Sequence, residues 1–139
     1  PQCDTAPTDL ARDTIGFLVE NDEALRRALS LLLERWGISV IDAPNAVEAL
    51  ALIEDLGILP DFLLLDQHLG EGPTGLDLLA ALVARHGPIP ARILTADRDP
   101  GLRAACAAAG AGILYKPIDA SALKSFITGL EGGGAALAG

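Results

Sequence analysis

This chain of 139 residues has no methionine, two cysteines, one tryptophan, one tyrosine and three phenylalanines. Aromatic residues make up 4% of it while hydrophobic residues make up 50%, so any core is aliphatic, built from Leu, Ile, Val and Ala. Basic residues are scarce. Ten Lys and Arg face nineteen Asp and Glu, and the formal charge of -9 repels polyphosphates, which argues against direct nucleic-acid binding. No basic stripe of the kind a DNA-reading module needs is visible. No apolar stretch approaches the roughly 20 residues of a membrane helix, so this domain is not expected to enter a membrane. Cys3 and Cys106 are far apart, with no metal-ligand spacing and no nearby His, so idle thiols in a reducing cytosol are expected in preference to a disulfide. No signal peptide is recognised, and a cytoplasmic location is expected. The missing methionine and the start at Pro1 point to a segment of something longer.

What remains is a single domain of ordinary size. Residues 1–13 hold two prolines and no periodicity, which reads as a flexible lead-in, and residues 131–139 read as a flexible Gly/Ala tail. Between them, over 14–130, strand-like and helix-like patterns alternate five times, the sequence form of βαβ units around a parallel sheet. The strands are expected at Ile15 to Val19, Ser39 to Ala43, Phe62 to Leu65, Ala91 to Leu94 and Ile113 to Tyr115. Phe62 to Leu65 is apolar at consecutive positions, as in a central strand covered on both faces. Leu25, Ala28, Leu29, Leu32 and Trp36 are expected to face inward from the first helix, and Val47, Leu50, Ile53 and Leu56 from the second. Asn45 is a candidate N-cap.

Four of the five strand-like runs end in chemically distinct polar residues, Glu20, Asp66, Thr95 and Lys116. In a parallel α/β sheet the residues at the carboxyl ends of the strands share one crevice. Two carboxylates brought together there are costly unless a cation neutralises them. Mg²⁺ suits the task, because it takes oxygen ligands and is commonly held by one or two carboxylates together with phosphate oxygens. A carboxylate also serves as a nucleophile toward phosphorus. Phosphoryl transfer needs mainly positioning and charge neutralisation, for which Lys116 supplies a compact positive charge and Thr95 a hydroxyl donor.

The run Ile15 to Glu20 and the segments Leu64-Leu65-Asp66, Leu94-Thr95-Ala96 and Tyr115-Lys116-Pro117 resemble the receiver domain of two-component response regulators over about residues 14–130. The resemblance implies a flavodoxin-like three-layer α/β/α sandwich with a five-stranded parallel sheet of order 2-1-3-4-5. It implies Mg²⁺-dependent phosphorylation of Asp66 by a histidine kinase or histidine phosphotransfer protein. The implied metal ligands are Glu20, Asn21, Asp66 and the backbone carbonyl of His68, with Lys116 and Thr95 on the phosphoryl oxygens and a cis peptide bond before Pro117. Output by conformational shift is implied, as is a homodimer through the face of the fourth helix, fifth strand and fifth helix. Such a domain catalyses only its own phosphorylation and dephosphorylation. The loop Leu69 to Gly75 and the missing methionine favour the receiver of a hybrid kinase. Two positions depart from the family pattern. Asn21 stands where a second acid is usual, which weakens metal affinity, and Ile113 occupies the position of the switch aromatic, with Tyr115 not equivalent to it. Asp97, two residues after Thr95, and His68, two after Asp66, flank the site.

Each residue also has a plainer explanation. Asp66 and Lys116 could be solvated strand-end residues, Glu20 an acid at a helix N-terminus, and Thr95 a β-former. Gly70 to Gly75 formally satisfies G-x-G-x-x-G, but it follows the third strand and carries Glu71, which repels a pyrophosphate. Two further functional classes stay open on the sequence. One is a degenerate receiver that acts as a phosphorylation-independent interaction module, suggested by Asn21 and Ile113. The other is a flavodoxin-like cofactor protein, disfavoured by the acidic run Asn21-Asp22-Glu23 after the first strand.

Overall fold

A computed structural model describes residues 14–138, with side chains described from 14 to 130. The expected lead-in 1–13, Cys3 included, lies outside the described residues. Five strands, β1 (Ile15–Val19), β2 (Ser39–Ala43), β3 (Phe62–Asp66), β4 (Ala91–Thr95) and β5 (Gly112–Tyr115), alternate with five helices. The helices are α1 (Glu23–Arg35), α2 (Ala46–Leu56), α3 (Gly75–His86), α4 (Pro100–Ala108) and α5 (Ala120–Ala138). All strand pairs are parallel and the sheet order is β2-β1-β3-β4-β5, the flavodoxin-like arrangement that the family resemblance implied.

Side chains alternate between the two faces of a pleated strand, and that period sorts the core into two layers. Phe17, Val19, Leu63, Leu65, Ala91 and Ile93 pack with residues of α2, α3 and α4 on one face. Leu18, Phe62, Leu64, Leu94 and Leu114 pack with α1 and α5 on the other. β3 is buried along its whole length, in keeping with its central place. Asn45 caps α2 by accepting from the Glu48 backbone N–H, as its position in the sequence suggested.

The inward faces of two helices differ from the expectation. In α2 the buried residues are Ala46, Ala49 and Ile53, with Leu50 half-buried, whereas Val47 and Leu56 are exposed. The buried stripe starts one position earlier because two alanines, with no bulk beyond Cβ, sit against the sheet. In α1, Leu29, Ser30 and Leu33 are buried and Ala28 is exposed. Ser30 is accommodated by donating a hydrogen bond to Asp42 on β2 at 3.0 Å. α5 runs through to Ala138, over most of the segment read from the sequence as a Gly/Ala tail. That segment contains no proline to break the backbone ladder. Its three glycines cost roughly 1 kcal/mol each, while the following Ala-Ala-Leu-Ala run favours helix.

Phe62 shows how closely the α1–α5 layer is packed. Its ring meets Phe126 edge-on, with centroids 5.7 Å apart and planes at 85°. Its tip also lies over Gly16, where an added Cβ would come within 2.4 Å of the Phe62 Cζ. Only a residue without a side chain fits under the ring. Phe62→Ala is therefore expected to lower the unfolding free energy by about 3–5 kcal/mol, the usual range for emptying a buried phenylalanine site. Urea denaturation checks this, and a loss below about 1 kcal/mol contradicts the packing described.

Candidate functional site

The strand register gathers the polar ends. β1 pairs with β3 through Val19 and Leu65, so one further step places Glu20 beside Asp66. β3 pairs with β4 through Asp66 and Leu94, and β4 with β5 through Thr95 and Tyr115. Asp66 and Thr95 are the last residues of their strands, one position earlier than the expected location just beyond the ends. Glu20, Asp66 and Lys116 each come two residues after a member of the α1–α5 layer, Leu18, Leu64 and Leu114 respectively. The period of two therefore carries all three toward the same side. Thr95 follows Ile93 of the opposite layer and is offset from them.

The three charged groups meet. Lys116 Nζ lies 3.2 Å from Glu20 Oε1 and 3.4 Å from Asp66 Oδ1. It also donates to Glu20 Oε2 at 3.4 Å. Glu20 is fully buried and the Asp66 side chain is 4% exposed, while the lysine side chain is 25% exposed and reaches in from the rim. One cation thus faces two buried carboxylates. The backbone supplies more donors. Asp22 N donates to Glu20 Oε2 at 3.0 Å, and His68 N to Asp66 Oδ1 at 3.1 Å.

Burial, then the hydrogen bond and the negative charge of Asp66, push the Glu20 carboxyl up from 4.5 to about 7, against the opposing pull of the Asp22 amide and Lys116. The folded chain consequently keeps a proton that the unfolded chain releases between those values. In metal-free protein this contribution to stability is fully present below about pH 4.5 and is lost as pH rises through about 7. Urea midpoints at about pH 5 and about pH 8 are expected to differ more in the wild type than in Glu20→Gln, with the wild type favoured at the lower pH. Equal pH dependence in the two proteins contradicts the assignment.

The remaining residues occupy distinct places. Thr95 is fully buried, and its Oγ1 accepts from Asp97 N at 3.0 Å, so its own proton stays available for donation. Its carbonyl accepts from Lys116 N at 2.9 Å, which ties the threonine to the lysine through the backbone. Asp97 is exposed, with Oδ1 accepting from Asp99 N. Asn21 and His68 are exposed beside the carboxylates in sequence. Asp22 is occupied as the N-cap of α1, accepting from Ala24 N and Leu25 N. Ile113 is half-buried against the α2–α4 layer. The Lys116–Pro117 peptide bond is cis.

Two contributors were not singled out from the sequence. Arg26, on the second turn of α1, donates from Nη1 to the Glu20 carbonyl at 2.9 Å. Gln67, directly after Asp66, accepts from Leu76 N through Oε1 at 3.0 Å. The helical spacing after Glu20 offered a weak signal for the first, and the loop returning at Gly75 one for the second.

Among the described residues no three His, Cys, Asp or Glu side chains are grouped as a metal site. A divalent cation placed here would have two carboxylates, Glu20 and Asp66, with amide and carbonyl oxygens of Asn21 and His68 near them in sequence, an all-oxygen set of the kind a hard divalent ion takes. Glu20 Oε1 fits that role. It is buried and has no hydrogen-bond partner, since its approach to Lys116 is an ion pair without hydrogen-bond alignment.

A sequence profile described as the response regulator receiver domain matches residues 17–128. A cyclic di-GMP phosphodiesterase of Thermotoga maritima is 30% identical over 113 residues, which is 81% of this chain and 29% of that protein. The chain therefore spans less than a third of that relative's length. Among solved structures, chemotaxis protein CheY4 of Vibrio cholerae superposes with a TM-score of 0.76 at 23% identity, covering 84% of this chain and 98% of that one. A response regulator from Burkholderia pseudomallei, with a phosphorylated aspartic acid, calcium ion and citrate, has a TM-score of 0.75 at 26% identity, covering 91% of this chain and 74% of its own. Among the described residues no helix is long and apolar enough to cross a membrane.

Proposed function

The chain belongs to the response regulator receiver domain family, and from that premise we propose that it takes a phosphoryl group onto the Asp66 carboxylate from a phosphohistidine in a histidine kinase or histidine phosphotransfer protein. The observation that carries the reading is the contact of Lys116 Nζ with both buried carboxylates. Asp66 attacks phosphorus through a carboxylate oxygen, and the P–N bond to the donor imidazole breaks, leaving an acyl phosphate. Lys116 draws charge from one phosphoryl oxygen and the Thr95 hydroxyl donates to another. Glu20, Asn21, Asp66 and the His68 carbonyl would hold Mg²⁺, which when bound would neutralise charge on the remaining oxygens. The acquired charge then shifts conformational populations to the extent that two states hold it differently. The chain acts on no other substrate in this reading.

Incubation with a radiolabelled phosphohistidine donor protein tests it. Label is expected to pass to this chain in Mg²⁺ and to stay on the donor when EDTA is present. Retention on the donor in Mg²⁺, for donors that label other receivers, contradicts phosphotransfer and supports the interaction-module reading that Asn21 and Ile113 suggested.

A further inference from the structure

The loop between β3 and α3 is closed by one residue that the phosphotransfer chemistry does not itself use. The first N–H groups of a helix have no partner within it. In α3 all four are satisfied. Thr74 N donates to Asp77 Oδ2, and Asp77 N to Thr74 Oγ1, which completes a capping box. Gly75 N donates to the Gln67 carbonyl at 3.3 Å and Leu76 N to Gln67 Oε1 at 3.0 Å. Gln67 thus takes two of the four, one through its main chain and one through its side chain. Its own N–H donates to the Leu94 carbonyl at 3.0 Å, which anchors it to β4.

This clasp presses α3 against the residue that carries the chemistry. An added Cβ at Gly75 would lie 2.5 Å from the Asp66 carbonyl oxygen and 3.0 Å from its carbon, so the helix start rests on the Asp66 peptide itself. Those atoms are backbone and have nowhere to yield. His68, whose N–H orients the Asp66 carboxylate, sits between Gln67 and the loop.

We propose that Gln67 is a positioning residue for the site: by holding the first turn of α3 through two acceptors, it fixes the Asp66–His68 segment whose carboxylate and carbonyl would hold the cation. This rests on the phosphoacceptor reading for its purpose. Loss of a hydrogen-bonded group just behind metal ligands typically costs 10–100-fold in affinity or activity.

Gln67→Leu removes the side-chain acceptor at similar size, and Gln67→Glu retains one where a helix N-terminus favours negative charge. Gly75→Ala strikes the same contact from the helix side. Gln67→Leu and Gly75→Ala are expected to weaken Mg²⁺ binding, measured by calorimetry, by roughly 10-fold or more. Gln67→Leu is also expected to speed amide exchange at Leu76, and Gln67→Glu to restore both properties. Faster exchange at Leu76 with Mg²⁺ affinity unchanged shows a role in helix capping alone and overturns the proposal. Phosphoryl uptake from acetyl phosphate by the wild type, run in parallel, judges the phosphoacceptor reading separately. A wild type that binds no Mg²⁺ overturns both.

Discussion

Asp66→Asn is expected to abolish phosphoryl uptake from acetyl phosphate completely while leaving the fold intact. The asparagine amide is no nucleophile toward phosphorus, and among the described residues the other buried carboxylate in contact with Lys116 is Glu20. Glu20 is an unsuitable substitute, because in this reading its carboxylate would be engaged in holding the cation. The fold survives because asparagine retains a side-chain oxygen to accept from His68 N, as Asp66 Oδ1 does. The substitution also removes the negative charge that raises the Glu20 carboxyl, so the fall in metal-free stability between about pH 4.5 and about pH 7 should shrink. Intact mass after acetyl phosphate treatment and urea denaturation across pH measure the two effects. A mass gain equal to the wild type's contradicts the assignment of the acceptor.

Lys116→Ala is expected to slow phosphorylation by roughly 10²–10³-fold, the loss usual when one preorganised donor to a developing charge is removed. Two consequences separate here. In the resting protein Lys116 is the cation that faces Glu20 Oε1 at 3.2 Å and Asp66 Oδ1 at 3.4 Å. Without it the Glu20 carboxyl moves further up, since the lysine is one of the two influences that lower it. The site then answers by holding its proton to higher pH, so the fold persists. During transfer the phosphoryl oxygen assigned to Lys116 loses its ammonium partner, and proton uptake by Glu20 does nothing for that oxygen. Phosphorylation rates at saturating Mg²⁺ check the prediction, and a rate within about threefold of the wild type contradicts it.

Strand ends were legible because each buried strand is a short apolar run, and the first polar residue after it falls at the carboxyl edge of the sheet. Glu20, Asp66, Thr95 and Lys116 followed from that rule and from the parallel order it implies. Other features needed tertiary proximity. The inward face of α2 depends on how near Ala46 and Ala49 let the helix approach the sheet, which the larger Val47 and Leu56 obscured in the sequence. Gln67 reads as an ordinary polar residue until Leu76 is brought back to it by the intervening loop. Arg26 likewise gains its meaning only when α1 turns its side chain toward the Glu20 carbonyl. Thr95 stands at the opposite strand parity from the other three, and its hydroxyl oxygen accepts from the Asp97 N–H, a contact that only the folded loop reveals.

The measurement that bears most directly on this site is peptide mapping by tandem mass spectrometry of the wild-type chain after acetyl phosphate and Mg²⁺. The account predicts one phosphoryl group, on Asp66, and none when EDTA is present. An unmodified chain, or a phosphoryl group on any other residue, contradicts it.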